Sequence, residues 1–445
     1  MKALVIGYQK SGVAASKLLK SKGYKVAVVA DDRKVMPQNI DRLLTGLSFV
    51  VVSPGVRQDS PLVLASKKKG IPVIGELELG YNYLGGRIVA ITGTNGKTTT
   101  TSLLGHLMQA DNVFVGGNIG VPLCDVSPKT NSDSLTIAEV SSFQLASINK
   151  FKPNVAALLN VTPDHLNYHG NMQNYLDAKL NIFKNQTEED FAVLSYDDPV
   201  VSKLSVSPAK TYYFSTKNRV NGCFASGGNI YFRDTTKTVP GYTRAVKIAA
   251  TSDINLIGEH NLSNSLCALT CAILCGANVK TLAARLRTFM PVEHRLQFVT
   301  EIGGVKFIND SKATNTLSTV AAINSMKSPT TIILGGSDKG CDFDDIFKVE
   351  PSLVTNYVLM GETKNKLMQT ALKWGKRNVF MAASLSGAVE LAYRLCNSGD
   401  NVLFSPACAS FDMFSCYQER GKCFCGIVKG LKQSEDNRIK DIKKT

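Results

Sequence analysis

The run RIVAIT from Arg87 passes straight into GTNGKTTT from Gly93, and no other junction constrains the fold as tightly. β-Branched residues favour a strand, Asn95-Gly96 marks a turn, and Lys97-Thr98-Thr99 stands where a helix opens. Strand, glycine turn and helix form half of a parallel crossover unit, which predicts an α/β protein. The same geometry aims backbone N–H groups, a helix dipole and one ammonium at a single point, an arrangement suited to polyphosphate. Gly93, Thr94, Asn95 and Gly96 form the turn, Lys97 brings charge, the Thr98 hydroxyl is placed for Mg²⁺, and Thr99 follows. The usual phosphate-loop spacing asks for glycine at position 91, where Ile91 stands. An ordinary Asn-Gly turn before a solvated lysine explains Asn95-Gly96. It does not explain Lys97-Thr98-Thr99 at a helix start.

The 445 residues give room for roughly two to four domains. A hydrophobic content of 44% and a mean hydropathy near zero describe a globular chain. No apolar run approaches the ~18 residues of a membrane span. The start MKALVIGYQKSG reads as a first strand and turn instead of a secretory signal, so a cytoplasmic protein is expected. Eleven cysteines include no zinc-like CxxC pair. Cys267, Cys271 and Cys275 recur every four residues along one helix face, and Cys423 and Cys425 would share a face of a strand around Phe424. Reduced, buried thiols fit better than a disulfide framework. A net charge of +15 favours anionic ligands. No basic stretch is interleaved with aromatics, so no nucleic-acid partner is expected, and Lys67-Lys68-Lys69 and the tail from Arg438 read as solvated faces.

Strand and helix patterns alternate along the chain in three series. KALVIG, KVAVVA, LSFVVVSPG and IPVIG form the first, up to a junction at Gly85-Gly86. RIVAIT, NVFVGG, SLTIAEV and NVAALLN form the second, followed by short β runs between Phe191 and Ala250 that read as a small antiparallel appendage. A helical pair over 259–289 and Pro291 precede the third, with VKFIND, TIILGG, NYVLMG, NVFMAA and NVLFSP. The expected domains are 1–86, 87–291 and 292–445: a Rossmann-like parallel sheet, a P-loop-type mononucleotide domain with the appendage, and a second Rossmann-like domain. Polar clusters follow many strands directly, and open parallel sheets bind ligands beyond the carboxyl ends of their strands. A shared cleft is the expectation.

Individual clusters are less decisive. GYQKSG sets Gly7 and Gly12 as a dinucleotide loop would, but Gln9 stands where close pyrophosphate approach wants glycine. Asp31 ends the second strand, where a ribose-binding acid would sit. Glu139 closes SLTIAEV and suits an Mg²⁺ ligand. TPDHLNYHG spaces His165 and His169 by four, but Leu166 replaces the glutamate of a zinc protease, and Pro163 and Gly170 limit the segment to one helical turn. This favours a functional His165 and a structural His169. Lys179 shares a helix face with Tyr175 and Phe183. A snorkelling stem is one reading, and a neutral amine able to react with CO₂ is the other. Asn261 and Asn264 lie one turn apart and could hold a base edge, although Asn261 also suits an N-cap. Arg295 lies just past the second junction, where a guanidinium could reach phosphate.

Together these residues resemble the Mur ligase family of peptidoglycan synthesis over essentially the whole chain. The general motifs are GTNGKT, EVSS around Glu139, His165, His260-Asn261 and His294-Arg295. TPDHLNYHG with NYLDAKLNIF, NDSKATN, LGGSDKG and SPACASFDMF resemble the branch that takes D-glutamate. The resemblance implies an ATP-dependent ligase that works by carboxylate attack on the γ-phosphate and amine attack on the acyl phosphate. The implied substrates are UDP-N-acetylmuramoyl-L-alanine, ATP and D-glutamate. Ser11, Asp31, Gly55 and Asn118 match positions on the UDP-substrate side. Lys97 and Thr98 match phosphate and metal positions, Asn261 and Asn264 the adenine side, and Arg295 and Asp310 ribose and phosphate contacts. Lys312, Thr314, Lys339, Ser410 and Tyr417 match the D-glutamate end. Two Mg²⁺ ions are implied, one by Thr98 and Glu139 and one by His165 and a carbamylated Lys179. A monomer is implied.

Three other readings make distinct demands. A nucleotide switch would hydrolyse ATP slowly and ignore amino acids. A nicotinamide oxidoreductase would use the first domain, which Gln9 disfavours. Another Mur ligase or a folylpolyglutamate-type ligase would share the ATP domain, and the latter would not need the N-terminal sheet.

Overall fold

The computed structural model describes residues 1–206, 208–256, 258–290, 293–338, 340–349 and 353–442, with side chains to 435. Contacts divide the chain into two compact units, Met1–Asn255 with Leu262–Phe289, and Leu256–Asn261 with Met290–Thr445.

The first unit holds two sheets. Its N-terminal sheet is parallel throughout, in the order Lys25–Val29, Lys2–Ile6, Phe49–Val52, Val73–Gly75. The central strand Lys2–Ile6 is buried from Ala3 to Ile6, as an apolar run covered on both faces must be. Gly12 is fixed by a close approach, because a Cβ there would collide with the Gly7 carbonyl.

Nine strands make the central sheet, with Arg87–Thr92 flanked by Val155–Leu158 and Leu135–Glu139, all parallel. The short β runs after Phe191 extend this same sheet. Phe191–Ser195, Lys210–Ser215 and Gly222–Ser226 add in parallel, and Asn229–Arg233 then pairs antiparallel with both Gly222–Ser226 and the outermost strand Val246–Ala250. The antiparallel ladder is thus the outer edge of the sheet. Alternation alone gives strand positions but not their partners.

The second unit carries a sheet in the order Gln297–Ile302, Val305–Asn309, Asn401–Phe404, Thr330–Leu334, Val354–Leu359, Val379–Met381. The first pair is an antiparallel hairpin, and the rest are parallel. Cys423 and Cys425 lie in the helix Tyr417–Ile442, so the strand geometry considered for them does not occur. Phe424 between them is buried and stacks on Phe404 at 4.7 Å, which anchors the helix to the sheet. Cys267, Cys271 and Cys275 are buried, and all the cysteines of the chain are free. Among the described residues no helix is long and apolar enough to cross a membrane.

Candidate active site

The phosphate loop forms as its residues dictate. The strand ends at Thr92, Gly96 takes φ 85°, and the helix Lys97–Leu107 begins at the next residue. Asn264, on the helix Glu259–Leu274, packs so closely that a Cβ on Gly96 would meet its Oδ1. Asn261 is also buried, but it lies within that helix, so it is not its N-cap. Lys97 Nζ donates to the carbonyls of Gly93 (2.8 Å) and Thr94 (2.7 Å). Thr98 and Thr99 are buried, and the Thr99 hydroxyl has no hydrogen-bond partner.

Lys179 comes from the helix Met172–Leu180, whose N-cap is the Asn171 side chain. It is 1% exposed. Its Nζ donates to Gly93 O at 2.8 Å and lies 4.5 Å from the centre of the Tyr175 ring. Burial first, then the nearby Lys97 charge, push its pKa well below the usual lysine value. The snorkelling alternative is excluded, because no part of this side chain reaches solvent to any extent.

Glu139 ends its strand in register with Ile91, two residues before the loop. Asn118 Nδ2 donates to Glu139 Oε1 at 2.8 Å, and Oε2 is buried with no hydrogen-bond partner. An orphaned carboxylate oxygen at a strand end fits a hard cation. Among the described residues no three His, Cys, Asp or Glu side chains gather into a metal cage.

His165 sits at φ 54° ahead of the single turn Leu166–His169, its side chain 44% exposed and its ring 4.8 Å from that of Phe143. His169 instead bonds Ser142 Oγ through Nε2 at 3.0 Å, a structural contact.

In the N-terminal sheet, Asp31 and Gly55 line a cleft of about 630 Å³ together with Gly7, Gln9 and Arg57. Arg33 grips Asp31 in a two-pronged pair at 2.9 and 3.0 Å. Ser11, half-buried, and Asn118 are not among the cleft's lining residues.

In the second unit, Lys312 Nζ lies 5.7 Å from the Tyr417 ring centre, and Ser410 is buried nearby in sequence to Cys408 and Ala409. Thr314 is half-buried, and Lys339 lies outside the described residues. Asp310 accepts from Ser405 Oγ (2.7 Å) and from Leu296 N–H (3.2 Å). Burial pushes its pKa up to about 6, partly offset by Ser405 and by the Arg295 charge. Arg295 Nε is buried without a hydrogen-bond partner.

Sequence reasoning missed Arg420. Its side chain is fully buried, and it donates to Ser311 Oγ and O, Ala409 O and Cys408 O at 2.8–3.0 Å. Nothing in YQERGK marks it, since the signal is a set of carbonyls from distant loops.

Residues 91–272 match the Mur ligase middle domain, and 294–408 match the Mur ligase glutamate ligase domain. A UDP-N-acetylmuramoylalanine–D-glutamate ligase of Thermoanaerobacter sp. (strain X514) is 41% identical, with 97% of this chain and 99% of the relative covered. The chain belongs to the Mur ligase family. The enzyme of the same name from Clostridioides difficile (strain 630) is 38% identical over 97% of this Mur ligase and 99% of the relative. The fold is similar to UDP-N-acetylmuramate-alanine ligase MurC from Thermotoga maritima, with a TM-score of 0.62 at 17% identity over 97% of this chain and all of that one. It is also similar to MurF ligase from Thermotoga maritima in complex with ADP, with a TM-score of 0.57 at 18% identity over 90% and 92%. This Mur ligase is therefore an enzyme, an ATP-dependent ligase.

Proposed function

We propose that this Mur ligase joins D-glutamate to UDP-N-acetylmuramoyl-L-alanine in peptidoglycan precursor synthesis, with release of ADP and phosphate. The observation that carries the reading is the convergence of Lys97 and Lys179 on one carbonyl of the phosphate loop, with the orphaned Oε2 of Glu139 at the end of the adjacent strand. The names of the relatives supply the acceptor and the amino acid.

The reaction must bring a carboxylate to a triphosphate against like charge. Lys97 and the N-terminus of its helix stabilise charge on the transferring phosphoryl group. The L-alanine carboxylate attacks the γ-phosphorus and ADP leaves. The amine of D-glutamate then attacks the acyl phosphate carbon, losing a proton as phosphate departs and the amide forms. Thr98 and Glu139 would hold one Mg²⁺, and His165 with carbamylated Lys179 a second. Bound there, the ions screen the phosphate and carboxylate charges. Lys179 is suited to modification because burial and the nearby Lys97 charge lower its pKa and so favour the neutral amine: that amine adds to CO₂, forming an N–C bond and releasing a proton.

Asn261 and Asn264 take the adenine, and Arg295 and Asp310 the ribose and phosphates. Ser11, Asp31, Gly55 and Asn118 take the UDP substrate, and Lys312, Thr314, Lys339, Ser410 and Tyr417 the D-glutamate. The work divides among 1–86 for the UDP end, 87–291 for ATP and 292–445 for the amino acid. A monomer acting in the cytoplasm on small molecules, without nucleic acid, completes the reading.

The test is phosphate release with ATP, UDP-N-acetylmuramoyl-L-alanine and a panel of amino acids. Release is expected with D-glutamate and not with L-glutamate or diaminopimelate. Equal activity with L-lysine or diaminopimelate would move the enzyme to another branch, and slow hydrolysis indifferent to amino acids would make it a nucleotide switch.

A further inference from the structure

We propose that Asn160 is a positioning residue that sets the shape of the phosphate loop from outside. Asn160 follows the strand Val155–Leu158, and its carboxamide bonds both main-chain polar groups of Asn95. Asn95 N–H donates to Asn160 Oδ1 at 2.8 Å, and Asn160 Nδ2 donates back to Asn95 O at 3.1 Å. The main-chain carbonyl of Asn160 accepts from Thr94 N–H at 3.0 Å. One residue therefore engages the amides of Thr94 and Asn95 and the carbonyl of Asn95. Thr94 extends the clamp, since its Oγ1 accepts from Thr162 N–H at 3.0 Å and lies 3.2 Å from the Tyr175 hydroxyl.

Two consequences follow. A phosphate loop commonly turns its successive amides toward the anion, but here those of Thr94 and Asn95 face Asn160. The grip on phosphate passes to the first turn of the helix Lys97–Leu107, where the dipole is strongest. The loop also lacks glycine at position 91, so its path is imposed by a neighbouring segment instead of by its own flexibility. Gly93 supports this, because a Cβ there would come within 2.9 Å of Leu159 Cβ. A carboxamide of this length can accept from the Asn95 N–H and donate to the Asn95 carbonyl at once, joining the two peptide groups that flank the Asn95 Cα. Aspartate keeps the shape but loses the donor and adds negative charge beside the phosphates.

The proposal rests on the loop's binding nucleotide phosphate. Calorimetric titration of the full chain with Mg²⁺–ADP and with AMP separates the two ideas. N160A is expected to weaken ADP about tenfold, N160D by more, and AMP by less than about twofold, since only ADP reaches the loop with its outer phosphate. Amide hydrogen exchange at Asn95 should quicken in N160A. ADP binding by N160A equal to wild type overturns the clamp alone. Parallel weakening of ADP and AMP overturns it too, because it signals general loosening. A wild-type enzyme that binds no ADP removes the nucleotide reading and this proposal with it. If N160A fails to fold, N160S, which is uncharged and too short to reach both the N–H and the carbonyl of Asn95, carries the same comparison.

Discussion

Lys97 and Lys179 donate to the same oxygen, the Gly93 carbonyl, each at 2.8 Å. Two ammonium groups on one acceptor repel, and burial adds to that repulsion in disfavouring the charged form of the buried one. Lys179 is that group, with its pKa held well below the ordinary lysine value of 10.5.

A stability test follows from the sign of that shift. Below pH 10.5 the unfolded chain protonates Lys179 while the native state resists, so this residue costs stability that is regained as pH rises toward that value. In CO₂-depleted buffer, Lys179→Met should melt higher than wild type at about pH 7, with the gap closing near about pH 10. Melting curves at both pH values decide it, and a gap that widens with pH would show Lys179 to be charged. The same variant should be inactive. Lys179→Arg should not restore turnover, because the function assigned to the side chain is a carbamate's negative charge. A small carboxylate added to Lys179→Ala should recover some.

Glu139 is held by Asn118 through one oxygen while the other is buried and unbonded. Glu139→Gln keeps the shape and removes the charge that a cation needs. Turnover should fall by about 10²–10³-fold and the Mg²⁺ requirement should rise, with the D-glutamate KM little changed. Steady-state kinetics across an Mg²⁺ titration would show this, and an unaltered Mg²⁺ dependence would dismiss the assignment.

The legible parts of this chain were those where local chemistry decides. RIVAIT-GTNGKTTT specified strand, turn and helix, since Gly96 alone suits the left-handed turn that Lys97 follows. The apolar runs located almost every parallel strand. Pairing was less visible, because the short runs after Phe191 show no sign that three of them continue the central sheet in parallel. The partner of Val305–Asn309, the strand Gln297–Ile302, was missed since QFVTEI alternates too weakly. Lys179 was recognisable as sharing a face with aromatics, but not its depth of burial. Asn160 and Arg420 were invisible, because each acts through backbone atoms of distant loops that carry no residue signature.

Asp310 links pH to stability in the opposite sense to Lys179. Its carboxyl is pushed up to about 6 from 3.8, chiefly by burial. Between these values the native state holds a proton that the unfolded chain releases, so stability falls as pH rises through this window and stays lowered above it. A shift of about two units corresponds to about 3 kcal/mol at most. Asp310→Asn should therefore gain up to about that much at pH ~8 and nothing at pH ~4, while losing activity as a ribose contact. Urea unfolding at the two pH values checks the sign. A larger gain at the acidic value would contradict the burial argument.

Arg420 ties together the backbone around the residues assigned to D-glutamate. Its guanidinium spans Ser311, next to Lys312, and Cys408 and Ala409, next to Ser410, and Ser311 Oγ donates in turn to Tyr417 O at 2.9 Å. Burial lowers its pKa to about 10, so it remains charged at neutral pH. Only a planar fork can reach this set of acceptors, and a lysine at 420 would satisfy a part of it and leave buried carbonyls unpaired. Each lost bond to a charged donor costs about 1.5–3 kcal/mol. Arg420→Lys should therefore lower the melting temperature and raise the D-glutamate KM by about tenfold or more, with the ATP KM within about twofold of wild type. The split between the two KM values is the deciding measurement. Equal increases would mean that Arg420 only stabilises the fold, and an unchanged D-glutamate KM in a folded variant would free the amino-acid loops from its control.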